Sequence, residues 1–466
     1  MHWHPRAAWA ALPTSLLAGL LLAGCASTAI DSNFADVQRM SRERIGADPA
    51  WLTSDDARRQ AQADVDWLLS KPLSADDAVH IALAYSPALQ AVLADAAASS
   101  AAATSSARLP NPVFSFERLA RGDGGLRELE ITRTLSVPLL DLFLLPARMR
   151  QADQRQQQIR LQLAGDVVQA ATQARTAWVR AVSARQSLAY VEQIQTSADA
   201  SAELARRMQA AGNFSKLQRA RQEAFHADAV AQLARAQRDA LAAREALVRA
   251  LGLNDTQAAS LKLPDRLPDL PASPKDGPAF TQAAIGQRLD VALAQADLNA
   301  VAREQGLTRV TSVVNGLQIG AVRKSDTGQP SARGVDLELP LPLFDFGDPR
   351  RAQAQAAYMA ALNRTAATGA RAASQLREAH GAYRSAYDLA RHYRDEVVPL
   401  RKAIADENLL RYNGMLISVF ELLADTREQI GSVIQAIDAQ RDFWLADAAL
   451  QAAAIGRPMN RQDDNP

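Results

Sequence analysis

The chain has 466 residues, 48% of them hydrophobic but only 5% aromatic, with a formal net charge of +1. Much of the apolar content is alanine, which suits the thin, closely approached cores of packed helices. The near-neutral charge and the lack of a basic tract give no electrostatic basis for a nucleic-acid partner, and no run of about 20 apolar residues is present that would make a transmembrane helix.

The N-terminus reads MHWHPRAAWAALPTSLLAGLLLAGCAS. Arg6 supplies positive charge, Leu16 to Ala23 a short apolar core, and small residues precede Cys25, so residues 1–24 read as a secretory signal rather than a span. Leu22-Ala23-Gly24-Cys25 resembles the bacterial lipobox, which implies that Cys25 is lipidated and becomes the mature N-terminus. Ala26 after it resembles the signal for outer-membrane sorting in a Gram-negative envelope. Cys25 is the only cysteine, which excludes a disulfide framework. Residues 25–72 read as a lipidated N-terminal extension.

From Leu73 the chain repeats itself. Residues 73–262 and 279–456 align at an offset of roughly 203 residues, the mark of a duplication. Pro138-Leu139-Leu140-Asp141 matches Pro342-Leu343-Phe344-Asp345, Pro146 matches Pro349, and the stretch around Gly212 falls against that around Gly414. Between the copies, residues 263–278 carry five prolines and read as a linker; residues 457–466 read as a polar tail.

In the first copy, Ser74 to Arg108 is Ala-rich and reads as one helix capped by Ser74. NPVFSFERL and RELEITRTLSV read as strands joined by RGDGG, whose glycines permit the positive φ of a tight connection. Arg133 falls on the face of Leu129, Ile131 and Leu135, where lipid penalises it unless it stands near an interface. Pro146 is expected in the first turn of a helix that continues to about Ala211, and Ser215 to Leu251 returns beside it. In the second copy, LTRVTSVVNGLQIGAVRK and GVDLELPLPLF read as the strand pair, joined around SDTGQPSAR, with Val335, Leu337, Leu339 and Leu341 on one face. Pro349 then opens the second long helix.

The long helices carry the clearest periodicity. Leu163, Val167, Ala170, Ala174, Ala177, Ala181, Ala184, Leu188 and Val191 follow steps of four and three, as do Leu376, Ala379, Tyr383, Ala386, Ala390, Tyr393, Val397 and Leu400. Val419, Leu423, Thr426, Ile430, Val433 and Ile437 repeat it on the returning helix. A sustained period of 3.5 predicts coiled-coil packing. The first long helix, at roughly 65 residues, is expected to span about 100 Å. Each strand, at about 9–11 residues, has the length that crosses a bilayer when tilted. Four strands cannot close alone, since spanning barrels begin at about eight, and an open sheet in lipid leaves its edges unsatisfied. The strands must therefore combine with those of other copies, and three chains would supply twelve.

Taken together these features resemble the TolC family of outer-membrane channels, the outer component of tripartite efflux pumps and type I secretion systems. The resemblance is carried by LSADDAVHIALAYSPALQAVLADAA from Leu73, the paired turns into helix at Pro138 and Pro342, and RYNGMLISVFELLADTREQ from Arg411. It covers essentially the whole mature chain, and lipobox-bearing members are nearest in layout. It implies a mostly α fold with a small β part: a homotrimer whose 12-stranded transmembrane β-barrel continues into a long periplasmic α-helical coiled-coil barrel. It also implies a lipid-anchored place in the outer membrane. A periplasmic adaptor (membrane fusion protein) would meet the helix turns at Gly212, Asn213 and Gly414, and an inner-membrane transporter of the RND type would supply the cargo. The implied function is a passive exit duct for small toxic compounds, drugs or metal ions, with type I protein secretion as the alternative. One departure is visible: members often carry Tyr-x-x-x-Gly at the second turn, whereas Gly414 comes two residues after Tyr412.

No P-loop, GxSxG, HExxH or CxxC motif occurs, and His80, His226, His380 and His392 lack metal-ligand spacing. Neither an enzyme, a cofactor nor a metal site is expected, and conduction through a wide pore needs none. Glu421 and Asp425, one helical turn apart, are either a carboxylate ring at the tunnel mouth or an ordinary solvated face. Arg411 and Tyr412 are candidates for latching neighbouring helices shut. A non-pore periplasmic coiled-coil scaffold lipoprotein is the reading from a different class. It is disfavoured because adaptors have one hairpin flanked by compact β domains, whereas two coiled-coil units stand here.

Overall fold

The computed structural model describes residues 25–123, 126–275, 284–312, 316–341 and 343–457. It divides into two units. One comprises the chain up to Val37, Ala94–Gln162 and Val291–Gly369; the other comprises Gln38–Leu93, Leu163–Asp290 and Ala370 onward. The signal segment 1–24 and most of the tail lie outside the described residues. Cys25 begins the helix Cys25–Ile45, with its side chain outside the described set.

The first unit holds a four-stranded antiparallel sheet in sequence order, β1 (Val113–Asp123), β2 (Leu126–Pro138), β3 (Gln318–Asp326) and β4 (Ala332–Glu338). Each copy contributes one hairpin, and β2 and β3 join the hairpins in register from Glu130↔Asp326 to Pro138↔Gln318. Three expectations need correction here. The stretch Leu307–Thr311 belongs to the helix Leu289–Thr311 rather than to a strand. β4 stops at Glu338, short of Leu339 and Leu341, because Pro340 and Pro342 bring no N–H to a ladder. In RGDGG, β1 runs on through Asp123, while Gly124 and Gly125 lie outside the described residues.

A helix leaves the sheet directly after β2, but not after β4. Leu139–Ala210 starts on the residue after β2, so Pro146 sits inside it rather than in its first turn. The start is fixed from outside the helix: the N–H groups of Leu139 and Leu140 both donate to the Leu317 carbonyl. Pro349 does stand in the first turn of Asp348–His392, as expected. Around the sheet-side helices, Asn33 donates to Ser100 Oγ at 3.0 Å and Arg160 pairs with Asp36 at 3.3 Å, tying the N-terminal helix to its neighbours.

The second unit is helical. Ser74 caps as expected, in a full capping box with Asp77, but the single helix expected from there is two, Ala75–Tyr85 and Pro87–Ser106, bent by 46°. Pro87 disfavours helical geometry at Ser86 and opens the next helix itself. The 72-residue helix Leu139–Ala210 continues through this unit and Lys216–Leu251 returns. In the second copy His392 leads into a π-helical turn, Tyr393–Val397, before Val398–Asn413, and Val419–Ile455 returns. The π-turn precedes Pro399, whose missing N–H removes one i→i−4 bond, and it breaks the heptad seam. Leu400 beyond it is exposed, so the seam predicted to that point ends earlier.

Buried seam residues Ala174 and Ala181 pack in one core with Trp178, Leu247 and Leu251; Leu376, Tyr383, Ala390 and Phe443 form another. The Pro-rich 263–278 stretch lies flat on these cores as far as it is described. Leu267 is buried, Trp444 and Gln440 donate to the Pro268 carbonyl at 3.0 and 2.6 Å, and Tyr387 donates to that of Pro271. Arg288 is fully buried, donating to the Ala453 carbonyl at 2.6 Å and to both oxygens of Asp290. Among the described residues no single helix is long and apolar enough to cross a membrane.

Candidate functional site

Two places carry the chemistry: the faces of the sheet and the helix turns. On one face of the sheet the register aligns Val137, Ile319 and Leu337 in one row and Phe114, Leu135, Ala321 and Val335 in the next. Most of these apolar side chains are exposed, Val335 at 75% and Phe114 at 63%, while Val137 is half-buried. Past the strands the apolar series continues through exposed Leu341, Leu343, Phe344 and Phe346. The opposite face holds Ser115, Thr132, Thr134, Ser136, Glu117, Glu130, Asp326 and Asp336, with Lys324 pairing to Glu130 at 2.5 Å. Alternation thus sorts the sheet into a mainly apolar and a mainly polar face, the latter also showing exposed Val113 and Leu119. Among the described residues β1 and β4 each have one edge with no strand beside it.

The helix turns belong to the second unit. At the first, Gly212 takes φ +78°, the Asn213 N–H reaches back to the Met208 carbonyl at 2.9 Å, and Ser215 caps the returning helix in a box with Gln218. At the second, the left-handed residue is Met415, φ +59°, while Gly414 is at φ −81°. Leu416 N–H donates to the Arg411 carbonyl at 2.8 Å and Ser418 Oγ accepts from the Glu421 N–H. The expected turn residue Gly414 is therefore displaced by one. The offset of 203 that pairs Ser215 with Ser418 also pairs Gly212 with Met415, not with Gly414.

Of the aperture candidates, Glu421 is exposed in the first turn of its helix, and Asp425 accepts a hydrogen bond from Asn408 on the partner helix of the hairpin. Arg411 lies 3.6 Å from Glu407 on its own helix, and Tyr412 is partly exposed beside the turn. Each of the four thus sits near the second turn, but only Asp425 bridges two helices. The residues that join the two hairpins were not legible in the sequence. Phe214 stacks on Phe420 with ring centroids 4.7 Å apart, and the Arg427 guanidinium lies 3.9 Å over the Phe225 ring. Burial pushes that guanidinium down from its usual range, against the pull of Glu428. Below the stack, Ile194, Ala198 and Ala229 pack with Phe225, Ile430 and Ile434. Among the described residues no group of three His, Cys, Asp or Glu is placed to hold a metal ion.

No family model matches the sequence, and no curated relative does. Solved structures do match. The CmeC outer membrane channel of Campylobacter jejuni superposes with a TM-score of 0.67 at 14% identity, covering 85% of this chain and 86% of its own. The outer membrane protein VceC of Vibrio cholerae gives a TM-score of 0.67 at 16% identity, over 86% of this chain and 99% of its own. The outer-membrane channel OprN gives a TM-score of 0.67 at 18% identity, over 88% and 98%. At these identities it is the fold that is shared, and the chain has the fold of the outer-membrane channel proteins, as its resemblance to the TolC family implied.

Proposed function

We propose that this protein is the outer-membrane channel of a tripartite efflux system, a homotrimer acting as a passive exit duct for small toxic compounds. The observation that carries the reading is the sheet, with one mainly apolar exposed face, one face rich in hydroxyls and carboxylates, and, among the described residues, two edges with no strand beside them. In lipid an unpaired edge leaves backbone groups unsatisfied, and copies joined edge to edge would satisfy them. Three copies would give twelve strands with the apolar faces toward lipid and the polar faces around a water-filled lumen. The fold shared with outer-membrane channels supports the same reading.

The hairpin turns suit a periplasmic adaptor. Met415, exposed at 93%, and the exposed Leu410 and Leu416 beside it form an apolar tip that a partner would cover. An inner-membrane transporter of the RND type would supply the cargo and the energy. Cys25 would be acylated after removal of residues 1–24, and several acyl chains make a stable anchor. The test is the purified protein in detergent and in planar bilayers. A particle with the mass of three chains and discrete conductance steps is expected; a folded monomer that conducts nothing would overturn the reading.

A further inference from the structure

The third row of the apolar face breaks its chemistry. In register with Phe116 stand Arg133, Arg323 and Arg333, one arginine from each of β2, β3 and β4, and Arg118 lies two residues beyond Phe116 on β1. The Arg133 guanidinium lies 5.9 Å from the Phe116 ring centroid. Among the described residues none of the four has a carboxylate partner, and the rows of this face contain no Asp or Glu. The carboxylates of the sheet, Glu117, Glu130, Asp326 and Asp336 among them, are on the opposite face. The cations are therefore segregated from the anions on the face that alternation makes apolar.

An arginine on the lipid side of a barrel is costly at the bilayer midplane and nearly free at an interface. Three at one level must mark an interface. On β3 and β4 the row stands toward their turn, while β1 and β2 run on past it to Asp123 and Leu126. On the helix side of the row the exposed residues of this face are apolar as far as Leu337, and the apolar series continues through Leu341, Leu343, Phe344 and Phe346. If the helices are periplasmic, as the proposed function holds, the row meets the outer leaflet. We propose that Arg133, Arg323 and Arg333, with Arg118 beside them, bind the phosphate groups of lipid A, the phosphorylated glycolipid of that leaflet. Guanidinium forks match phosphate oxygens in two-point hydrogen bonds, and their weaker hydration than an ammonium suits a half-dry interface. Phe116 beneath Arg133 packs against the acyl region and holds the guanidinium up to the headgroup.

The experiment is reconstitution of the full chain with lipid A, with dephosphorylated lipid A, or with phosphatidylglycerol, each in phosphatidylcholine. Bound lipid is counted by native mass spectrometry and conductance is recorded on the same samples. The wild type should retain lipid A at least about tenfold better than its dephosphorylated form. R133Q/R323Q/R333Q should lose that preference while conducting normally. Equal retention of the two forms by the wild type would overturn the proposal without needing any variant, and so would undiminished lipid A retention in a conducting variant. Phosphatidylglycerol held as well as lipid A would overturn the assignment to the outer-leaflet glycolipid. Failure of the wild type to conduct would instead strike the channel reading on which the row's orientation rests.

Discussion

Phe214 and Phe420 stack with their ring planes 21° from parallel, the turn of one hairpin against the first turn of the other's returning helix. The two copies of the repeat are thereby joined at their tips by a contact that neither copy makes alone. An aromatic pair of this geometry contributes about 0.5–1.5 kcal/mol beyond area burial. The cycle of Phe214→Leu, Phe420→Leu and the double variant should give a coupling of about 1 kcal/mol. Hydrogen exchange at amides of the two turns reads it, and strict additivity would mean that the stack does not hold the tip.

The two turns should respond in opposite ways to small substitutions. Gly212 is left-handed with open space where a Cβ would go, so Gly212→Ala should cost only the backbone strain, about 1–2 kcal/mol. Met415 already bears that strain, and Met415→Gly should relieve part of it, raising stability by up to about 1 kcal/mol. Denaturant midpoints compare the two. A loss of stability in Met415→Gly would show that its side chain is held by contacts that outweigh the backbone.

Glu421 and Asp425 separate by their partners. Asp425→Ser removes the acceptor of Asn408 and should loosen the second hairpin by about 1 kcal/mol, while exposed Glu421→Ser should not. If both carboxylates encircle the mouth three times, the double variant should conduct more and select cations less. An unchanged reversal potential across a salt gradient would place both on the outer surface.

Arg288 predicts the largest single loss. It is buried and donates to two carboxylate oxygens, the carbonyls of Ala372 and Ala453, and Gln375. Arg288→Met fills the space but removes the donor to the Ala372 and Ala453 carbonyls and the cation beside Asp290. The expected cost is about 3–5 kcal/mol, read as a fall in denaturant midpoint. A loss under about 1 kcal/mol would mean that water replaces the guanidinium.

Acid should act on the capping box at Ala75–Tyr85. Burial raises the Asp77 carboxyl, but hydrogen bonds from the Ser74 side chain and backbone, with Lys71 nearby, outweigh it and hold it below the usual carboxylate range. A depressed folded value means stability that is full above the unfolded carboxylate pKa of about 3.9 and lost as pH falls through the folded one. Asp77→Asn should flatten that part of the acid limb; an unaltered limb would assign the acid loss to other carboxylates.

Periodicity alone determined the larger part of this protein. Steps of four and three marked the long helices, Ser74 marked a helix start that needs a hydroxyl cap, and alternation marked the strands. These are local constraints, written in consecutive residues, and the duplication writes them twice. A proline misled where its effect depends on surroundings: Pro146 is held inside a helix that starts earlier.

What only the tertiary structure decided are pairings between residues far apart in the chain. Arg133 was visible as an oddity on an apolar strand face, but its alignment with Arg323 and Arg333 follows from a β2–β3 register fixed across nearly two hundred residues. The left-handed residue at the second turn is Met415 because hydrogen bonding of the whole hairpin end sets which residue must turn, and a neighbouring glycine does not capture that role. Phe214 and Phe420 meet because two duplicated hairpins pack side by side, and no spacing within either hairpin encodes the distance to the other.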